Sequence, residues 1–352
     1  MDLPALGRNL TVVRGIVGSE VKVALVAKAD AYGHGLVPVC RYALRFGADY
    51  LAVATVQEGI ALRDAGIDAP ILVLSPMLPV EADQAAFYGL EITVEGLEMS
   101  QELSRAALEC GRDVNLHLKV DTGLSRFGCK PEEADDVAEA ITELPGVDLI
   151  GVSHHFATAS DPDSAKRQMR RFRDAIEACE RNGITFAIRH EANSTATVTY
   201  PESHLDMVRV GMMAYGFGGH ADIEPVLSWY SRISSLRAVG PGATLSYGET
   251  FAVERDMLIA TVGVGYGDGY PRRLDSSAFV LIRGQRAPVV GAVCMDQVLV
   301  DVTKIEGAVP GDVVTLIGDG VTAAQLAEAA GTISHEIVTR IMSRVARRYL
   351  YD

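Results

Sequence analysis

The sequence predicts an α/β fold, a TIM-type (β/α)8 barrel followed by a smaller, mostly β domain. Apolar runs of strand length recur along the first part of the chain, and helical patterns separate most of them. Polar residues gather at the ends of these runs, and in a barrel such ends converge on one face. After about Glu224, frequent turn signals and short Val-rich runs replace this alternation. We therefore expect the barrel at residues 1–224 and the β domain at 225–352; an open, doubly wound sheet is the alternative.

Each predicted element follows from its local pattern. The apolar runs of strand length are Val21–Lys28, Tyr50–Val56, Pro70–Ser75, Leu90–Val94, Val114–Val120, Leu149–His154, Phe186–Glu191 and Met207–Met213. The main helical patterns between them are Pro38–Phe46, Glu95–Cys110, Lys130–Thr142 and Ser164–Arg181. In the second domain, the Val-rich runs that predict strands are Met257–Val262, Ala287–Val293 and Val313–Ile317. Thr322 is a candidate N-cap for a short helix over Ala323–Ala330.

The composition excludes several classes of function. A chain of 352 residues, 48% of them hydrophobic, can bury a large interior and suggests two domains. The formal net charge of -14 argues against nucleic acid and anionic membranes as partners. Neither a signal peptide nor a membrane-spanning run is visible. The five cysteines are scattered without metal-type spacing, so we expect reduced thiols, a cytoplasmic location and no metal.

The stretch Val23–Gly35 carries a lysine at the end of a predicted buried strand. Lys28 follows an apolar run and precedes the turn residues Gly33-His34-Gly35. Burial among valine and alanine disfavours the ammonium form and leaves a nucleophilic amine, as a Schiff-base lysine requires. Tyr32 could reach an anion held above the strand end. A solvated lysine before a turn is the alternative interpretation.

The segment Ala27-Lys28-Ala29-Asp30-Ala31-Tyr32-Gly33-His34-Gly35 resembles the pyridoxal phosphate (PLP) lysine motif of alanine racemases, and further segments extend this resemblance across nearly the whole chain. The resemblance implies a PLP enzyme of fold type III in which Lys28 binds the cofactor and Tyr32 contacts it. It also implies a homodimer with shared active sites, completed by the second domain. Relatives have a short strand before the position of Met1, which we expect to be missing here.

Two cations at the end of the fifth predicted strand belong to the predicted site. Arg126 lies in the segment Lys119–Gly128, and its planar donor fork suits a carboxylate or a phenolate. The resemblance assigns Arg126 contacts with both the substrate carboxylate and the cofactor phenolate. Lys119 matches a position that some relatives carboxylate, and a carbamate there would be a negative partner for Arg126. An unmodified lysine paired with an acid is the alternative.

Strands six and seven supply further predicted contacts. The resemblance assigns His155 the role of orienting an arginine and a tyrosine, while His154 is expected to be structural. Asn193 and Ser194 lie at the start of a predicted short helix, where backbone amides favour an anion. Ser194 matches the phosphate-binding serine of the family, although a plain serine N-cap is the alternative.

Strand eight contains an arginine that needs a partner, because a buried unpaired charge is costly. The resemblance pairs Arg209 with the pyridine nitrogen of PLP. Arginine keeps its proton, so that nitrogen should remain unprotonated and the ring should be a weaker electron sink. The resemblance assigns phosphate contacts to the backbone amides of Gly211 and Met212, and glycine allows close approach of the backbone.

The second domain continues the resemblance. Tyr247, in Leu245-Ser246-Tyr247-Gly248, matches the other catalytic base. Tyr266 matches the loop through which substrate enters. Within Gly291–Gln297, Met295 matches a backbone donor to the substrate carboxylate. The residues expected to line the site beside it are Cys294 and Asp296.

His335 departs from the family pattern. Alanine racemases usually carry a tyrosine at this position, where it touches the phosphate and narrows the pocket. Histidine is smaller and can be cationic, which puts strict alanine specificity in question.

We interpret the chain as a racemase of L- and D-alanine that uses two bases, Lys28 for the D-enantiomer and Tyr247 for the L-enantiomer. A racemase of broader or different specificity, for example towards serine, remains open. A PLP decarboxylase would require an acidic partner for the pyridine nitrogen, and Arg209 argues against this alternative. A non-catalytic PLP carrier is the third alternative, but its relatives lack a second domain.

Overall fold

The computed structural model describes residues 1–218 and 220–351. The chain forms two compact units. The first, the barrel unit, contains Leu3–Ala31 and Gly35–Glu224. The second, the β unit, contains Met1–Asp2, Tyr32–His34 and the chain from Pro225 onward. The segment Tyr32–His34, which follows Lys28 closely in the sequence, therefore belongs to the β unit.

An 8-stranded parallel sheet forms the barrel unit, which confirms the predicted fold class. Its strands are β1 (Lys22–Val26), β2 (Tyr50–Val53), β3 (Ile71–Val73), β4 (Glu91–Val94), β5 (Val114–Lys119), β6 (Val147–Ser153), β7 (Ile188–His190) and β8 (Met207–Val210). They follow the order β7-β6-β5-β4-β3-β2-β1-β8. The amide of Asp206 donates to the carbonyl of Arg189 (3.1 Å), and the amide of Arg209 donates to the carbonyl of Ala192 (2.9 Å). These two bonds connect the segments that contain β7 and β8.

Helices alternate with these strands. They are α1 (Leu3–Val17), α2 (Lys28–Gly33), α3 (Leu36–Arg45), α4 (Val56–Asp64), α5 (Ala82–Phe87), α6 (Leu97–Cys110), α7 (Ala134–Thr142), α8 (Pro162–Arg181) and α9 (Ser194–Thr199), with 3-10 turns at Pro79–Glu81, Pro131–Glu133 and Pro201–Ser203. The four main predicted helical patterns correspond to α3, α6, α7 and α8, with shifted ends. Helix α1 was not predicted, because its glycines and β-branched residues lower its intrinsic helix propensity. Burial of Leu3, Leu6 and Leu10 stabilises it in the fold.

The chain turns where β1 ends, and the turn differs from the prediction. Strand β1 stops at Val26, so Lys28 begins α2 instead of ending the strand. Residues 29–32 have φ angles of 53 to 55°, which is a left-handed turn made of non-glycine residues. Each such residue costs roughly 1–2 kcal/mol. At Gly33 (φ 76°), an added Cβ would lie 2.2 Å from the carbonyl oxygen of Val338, so glycine is required there.

The β unit is mostly antiparallel, as predicted. Its strands are β9 (Trp229–Val239), β10 (Thr244–Leu245), β11 (Phe251–Ala252), β12 (Met257–Val262), β13 (Phe279–Ile282), β14 (Gln285–Pro288), β15 (Val298–Asp301) and β16 (Val313–Ile317). Six of them form one sheet in the order β14-β13-β16-β9-β12-β15, and β10 pairs with β11. Two predicted strands match β12 and β16. The third prediction, Ala287–Val293, was wrong beyond Pro288, where β14 ends and Val289 forms an isolated bridge with Val300.

Two helices complete the β unit, α10 (Ala323–Ala330) and α11 (Ser334–Thr339), together with 3-10 turns at Tyr247–Glu249, Tyr266–Asp268 and Arg272–Leu274. Helix α10 has the predicted bounds. Its N-cap, Thr322, accepts a hydrogen bond at Oγ1 from the amide of Gln325 (3.1 Å). Within the described residues, none of the helices combines the length and the apolar character needed to span a membrane.

Candidate active site

Arg209 lies buried on β8 and is surrounded by hydrogen-bond acceptors. Its guanidinium donates to the carbonyl oxygens of His190 (2.7 Å), His154 (2.8 Å) and Glu191 (3.2 Å). It also donates to the Nδ1 atoms of His190 (2.8 Å) and His155 (3.3 Å). Desolvation lowers the pKa of Arg209 to about 10, which leaves it charged at neutral pH. These acceptors compensate the buried charge.

The direction of these hydrogen bonds determines the tautomers of two buried histidines. Because a guanidinium can only donate, Nδ1 of His190 must accept. Its Nε2–H therefore donates to Nδ1 of His117 (2.9 Å), and Nε2–H of His117 donates to Oε2 of Glu91 (3.1 Å). A chain of hydrogen bonds thus connects Arg209 with Glu91 through two neutral imidazoles. Burial and then Arg209 lower the pKa of His190 well below its usual value.

His155 is neutral for the same reason. Its Nδ1 accepts from Arg209, so the proton is on Nε2, where it can be donated to another group. Burial, followed by the neighbouring cations Arg209, Lys119, Arg126 and Lys28, lowers the pKa of His155 to about 2. The structure therefore brings His155 and Arg209 into contact, as the predicted orienting role requires.

Two lysines of the barrel unit lie in surroundings that disfavour the ammonium form. Burial, then Arg126, lowers the pKa of Lys28, and Glu58 opposes this shift. Lys119, the last residue of β5, is buried, and desolvation followed by Arg209 and Arg126 lowers its pKa well below its usual value. The negative charge of Asp121 opposes this shift of the Lys119 pKa.

Arg126 lies on a loop that other side chains hold in place. Oδ1 of Asp121 accepts hydrogen bonds from the amides of residues 123–125, each at 3.0 Å. Oε2 of Glu95 accepts from the amide of Gly128 (2.7 Å). The loop is thereby fixed at both ends, while the Arg126 side chain is exposed. This arrangement presents a guanidinium to an anionic ligand.

The predicted phosphate residues lie together at the start of α9. Asn193 is the N-cap of this helix, because its Oδ1 accepts from an amide in the first turn (3.0 Å). Ser194 is therefore not the N-cap, and its Oγ instead accepts from the amides of Gly211 (3.2 Å) and Met213 (3.3 Å). Met212 lies between these two amides in the chain. The serine hydroxyl thus joins α9 to the segment after β8.

In the β unit, Tyr247 is exposed beside the segment of residues 291–297. Its side chain is 77% exposed. Ser246 precedes it with a φ of 65° and donates from Oγ to the carbonyl of Ala292 (2.6 Å), with Sγ of Cys294 at 3.7 Å. An added Cβ at Gly291 would lie 2.7 Å from Cβ of Ser246, so glycine allows this close approach.

Tyr266 lies beside the same segment. Its amide donates to the carbonyl of Cys294 (3.0 Å), and the amide of Gly267 donates to the carbonyl of Met295 (2.7 Å). Met295 is 58% exposed and Tyr266 is 42% exposed, and Asp296 is also exposed. The structure therefore brings together the residues that sequence analysis selected in this domain, except for His335.

His335 instead lies near Tyr32. The two ring centroids are 6.4 Å apart with an interplanar angle of 60°, both within the β unit. Burial raises the pKa of Tyr32. Helix α11 carries His335, and the carbonyl oxygen of Val338 in this helix lies close to Gly33. A residue of the cofactor motif is thus adjacent to the position that departs from the family pattern.

A buried acid next to Arg209 was not among the predicted site residues. Glu191 is fully buried, and its Oε2 lies 2.9 Å from Nε2 of His154. Nδ1 of His154 lies 2.9 Å from Oγ1 of Thr122, so the expected structural role of His154 agrees with its contacts. Burial raises the pKa of Glu191 to about 8. The sequence did offer one signal for this residue, because Glu191 ends an apolar run of strand length.

We expect Glu191→Gln to change how the free energy of unfolding depends on pH. The pKa of Glu191 is raised, so the stabilising contribution of its protonated form is complete below about pH 4.5 and is lost as the pH rises through about 8. The glutamine variant should therefore gain about 2–5 kcal/mol relative to the parent protein across this range. Denaturant unfolding from pH 5 to pH 9 measures this difference, and exposed Glu139→Gln is the control. If the free energies of unfolding of Glu191→Gln and the parent protein differ by the same amount at every pH, the expectation is contradicted.

The barrel unit as a whole favours an anionic ligand that carries a carbonyl group. Four cationic side chains lie on or just after its strands, namely Lys28, Lys119, Arg126 and Arg209. Ser194 and the start of α9 add polar donors suited to a phosphate. The lowered pKa of Lys28 increases the fraction of free amine, which can attack a carbonyl or remove a proton.

Two family models cover nearly the whole chain. Residues 1–218 match the model described as alanine racemase, N-terminal domain, and residues 226–349 match the model described as alanine racemase, C-terminal domain. Among curated proteins, the chain is 40% identical to the alanine racemase of Halothermothrix orenii over 361 residues, which covers 99% of this chain and 95% of that protein.

Solved structures agree with these matches. The alanine racemase of Clostridium difficile superimposes with a TM-score of 0.95 at 34% identity, covering 99% of this chain and 94% of the other. The alanine racemase of Bacillus anthracis with bound L-Ala-P gives a TM-score of 0.92 at 34% identity, covering 100% and 94%. These similarities extend over both units.

Proposed function

The chain belongs to the alanine racemase family, and we propose on this premise that it interconverts L-alanine and D-alanine with PLP as its cofactor. The observation that carries the proposal is the cation-rich set at the strand ends, in which Lys28 has a lowered pKa and Arg209 is held by several acceptors. Relatives with the same name match over almost the full chain. Free D-alanine is a precursor of peptidoglycan, which is the use that we propose for the product.

The residues of the barrel unit fit PLP in charge and in donor type. A phosphate and a phenolate require cations and hydrogen-bond donors, which Arg126, Ser194 and Asn193 can supply together with the backbone of Gly211 and Met212. We propose that Lys28 holds the cofactor aldehyde covalently and that Tyr32 contacts the phosphate. When bound, PLP supplies an electron-withdrawing ring that acidifies the α-proton of the amino acid.

We propose that inversion uses one base on each face of the α-carbon. Lys28 removes or returns the proton on the face of D-alanine, and Tyr247 does so on the face of L-alanine. Arg126 and the backbone amide of Met295 bind the substrate carboxylate. Cys294, Asp296 and Tyr266 line the path of the substrate.

Arg209 supports a racemase in preference to other PLP chemistry. With PLP bound, Arg209 would donate a hydrogen bond to the pyridine nitrogen and would leave that nitrogen unprotonated, because a guanidinium keeps its own proton. Nδ1 of His155 accepts a hydrogen bond from Arg209 and holds it in place. The Nε2–H of His155 is then free to donate to the phenolate oxygen of Tyr247. A carbamate on Lys119 would place a negative charge near Arg126 and Arg209, which are the cations that lower the pKa of its amine.

We propose that the protein acts as a homodimer in which Tyr247 and Met295 serve the active site of the other copy. The exposure of Tyr247, Met295 and Tyr266 in a single chain supports this proposal, since functional aromatic side chains on an exposed patch are typical of an interface. A cytoplasmic location is supported by the five free cysteines of the described chain.

Exchange of the α-proton in deuterated water tests the function. Purified protein supplied with PLP should exchange the α-proton of both alanine enantiomers and bring them to equal concentrations. A decarboxylase would release carbon dioxide and an amine, and a PLP carrier would bind the cofactor without exchange. Serine in place of alanine tests the alternative substrate, and exchange of serine alone would reject alanine as the physiological substrate.

His335→Tyr should narrow the substrate range. A phenol beside Tyr32 would occupy space that a substrate hydroxyl can use, so kcat/KM for serine should fall relative to alanine. One small group in a pocket is worth about 1–3 kcal/mol, which corresponds to a tenfold change or somewhat more. Racemisation assays with both amino acids measure the ratio, with the conservative variant Ile333→Val as the control for α11. An unchanged ratio would show that residue 335 does not shape the pocket.

A further inference from the structure

One carboxylate of the barrel unit connects the turn after Lys28 to the start of a neighbouring helix. Glu58 is the third residue of α4, and its Oε2 accepts hydrogen bonds from the amides of Ala54 (2.8 Å) and Thr55 (3.3 Å). Its Oε1 accepts from the amide of Ala29 (2.7 Å). Both carboxylate oxygens are therefore used, one for the helix start and one for the residue that follows Lys28.

The turn at Ala29 needs such a contact because its backbone is strained. Residues 29–31 are left-handed non-glycine residues with φ angles of 53 to 55°. At the far end of the turn, Oδ1 of Asp30 accepts from the amide of Leu36 (2.8 Å), and its carbonyl accepts from the amide of Gly35 (2.9 Å). Hydrogen bonds to carboxylates thus restrain the strained segment on both sides.

The same carboxylate acts on the charge of Lys28. The side chains that act electrostatically on the amine or are acted on by it are Arg126 from the loop after β5, Glu58 from α4 and His155 after β6. Burial and Arg126 favour the free amine, whereas the negative charge of Glu58 favours the ammonium form. His155 is neutral, as its contact with Arg209 requires.

We propose that Glu58 is a positioning residue for Lys28, which holds the left-handed turn in place and balances the charge of Arg126 at the lysine amine. The proposal deepens the proposed function, since it concerns the reactive amine of the same site. Its effect passes through the backbone of Ala29, whose amide donates to Glu58, and through the electrostatic field at Lys28.

The test measures the amine of Lys28 in the full-length, cofactor-free protein, without racemisation. Competitive acylation from pH 6 to pH 11, read by mass spectrometry, gives the pH midpoint of Lys28 labelling. Hydrogen exchange of the Ala29 amide reports on the turn. Glu58→Gln removes the charge, whereas Glu58→Asp retains it with a shorter reach. The matched control is Glu81→Gln, which changes a glutamate that accepts from the amide of Leu78 (2.8 Å) at another helical turn.

We expect Glu58→Gln to shift the midpoint of Lys28 labelling to lower pH, because the charge that opposes Arg126 is removed. Glu58→Asp should keep the midpoint closer to that of the parent protein, while exchange of the Ala29 amide becomes faster. Glu81→Gln should change neither quantity. A midpoint in Glu58→Gln equal to that of the parent protein, or Ala29 exchange unchanged in both Glu58 variants, would overturn the proposal. Because neither measurement uses PLP or alanine, the proposal can fail while the proposed function holds.

Discussion

Replacing Lys28 with alanine is expected to abolish both racemisation and covalent attachment of PLP. Lys28 is the lysine that follows β1, and burial lowers the pKa of its amine. Without this amine the cofactor aldehyde has no partner at that position, and the D-alanine face has no base. We expect racemisation to fall by at least about a thousandfold. The visible absorbance of bound cofactor should also be lost, which a spectrum of the purified variant measures directly.

Borohydride reduction separates the assignment of Lys28 from a general loss of structure. Reduction of the parent protein should fix the cofactor to the peptide that contains Lys28. The control variant Lys22→Ala removes an exposed lysine at the start of β1 and should retain attachment and activity. A reducible cofactor linkage in Lys28→Ala would mean that another lysine holds PLP.

Replacing Tyr247 with phenylalanine is expected to stop exchange of the L-alanine α-proton. Phenylalanine keeps the aromatic ring and removes the hydroxyl, so the L-face lacks a proton acceptor. Exchange from D-alanine should persist in the first half-reaction, because Lys28 remains. We expect the L-alanine exchange rate to fall by about 10²–10⁴-fold. Tyr230→Phe is the matched control, since Tyr230 is another exposed tyrosine of the β unit.

Mixed dimers test whether Tyr247 serves the other copy. Homodimers of Lys28→Ala and homodimers of Tyr247→Phe are each expected to lack racemisation. If two chains share their sites, a mixed dimer has one site with both changes and one site with neither, so part of the activity should return. Subunit exchange is followed with differently tagged chains. If activity does not return although exchange is complete, each chain completes its own site.

Much of the fold followed from local patterns. Parallel strands of a barrel are buried on both faces, so they read as continuous apolar runs, and all eight predicted strands are present. Helix α10 also has its predicted bounds, because a threonine N-cap and a glycine after the last turn mark its ends. The ends of β1 were predicted less well. The left-handed turn at Ala29 carries no signal in residue preference, since alanine and tyrosine rarely adopt it.

The candidate site was selected from the resemblance, and its electrostatics required the structure. Arg209 and His155 were predicted from the sequence, yet the neutral state of His155 follows from the direction of a hydrogen bond that only the folded chain shows. The N-cap role of Asn193 and the acceptor role of Ser194 likewise depend on the position of Gly211. Glu191 was not predicted as a site residue, because a glutamate at the end of an apolar run does not by itself indicate complete burial.

The sequence by itself determined the alternation of strands and helices, the position of Lys28 after the first strand and the family to which the chain belongs. These properties depend on residues close together in the chain, through hydrophobic periodicity, capping residues and contiguous motifs. The tertiary structure alone decided the strained turn after Lys28, the hydrogen-bond chain from Arg209 to Glu91 and the contacts of Glu58. Each of these joins residues from different strands and helices, so its geometry and its pKa shifts arise only when the barrel brings those segments together and excludes water from them.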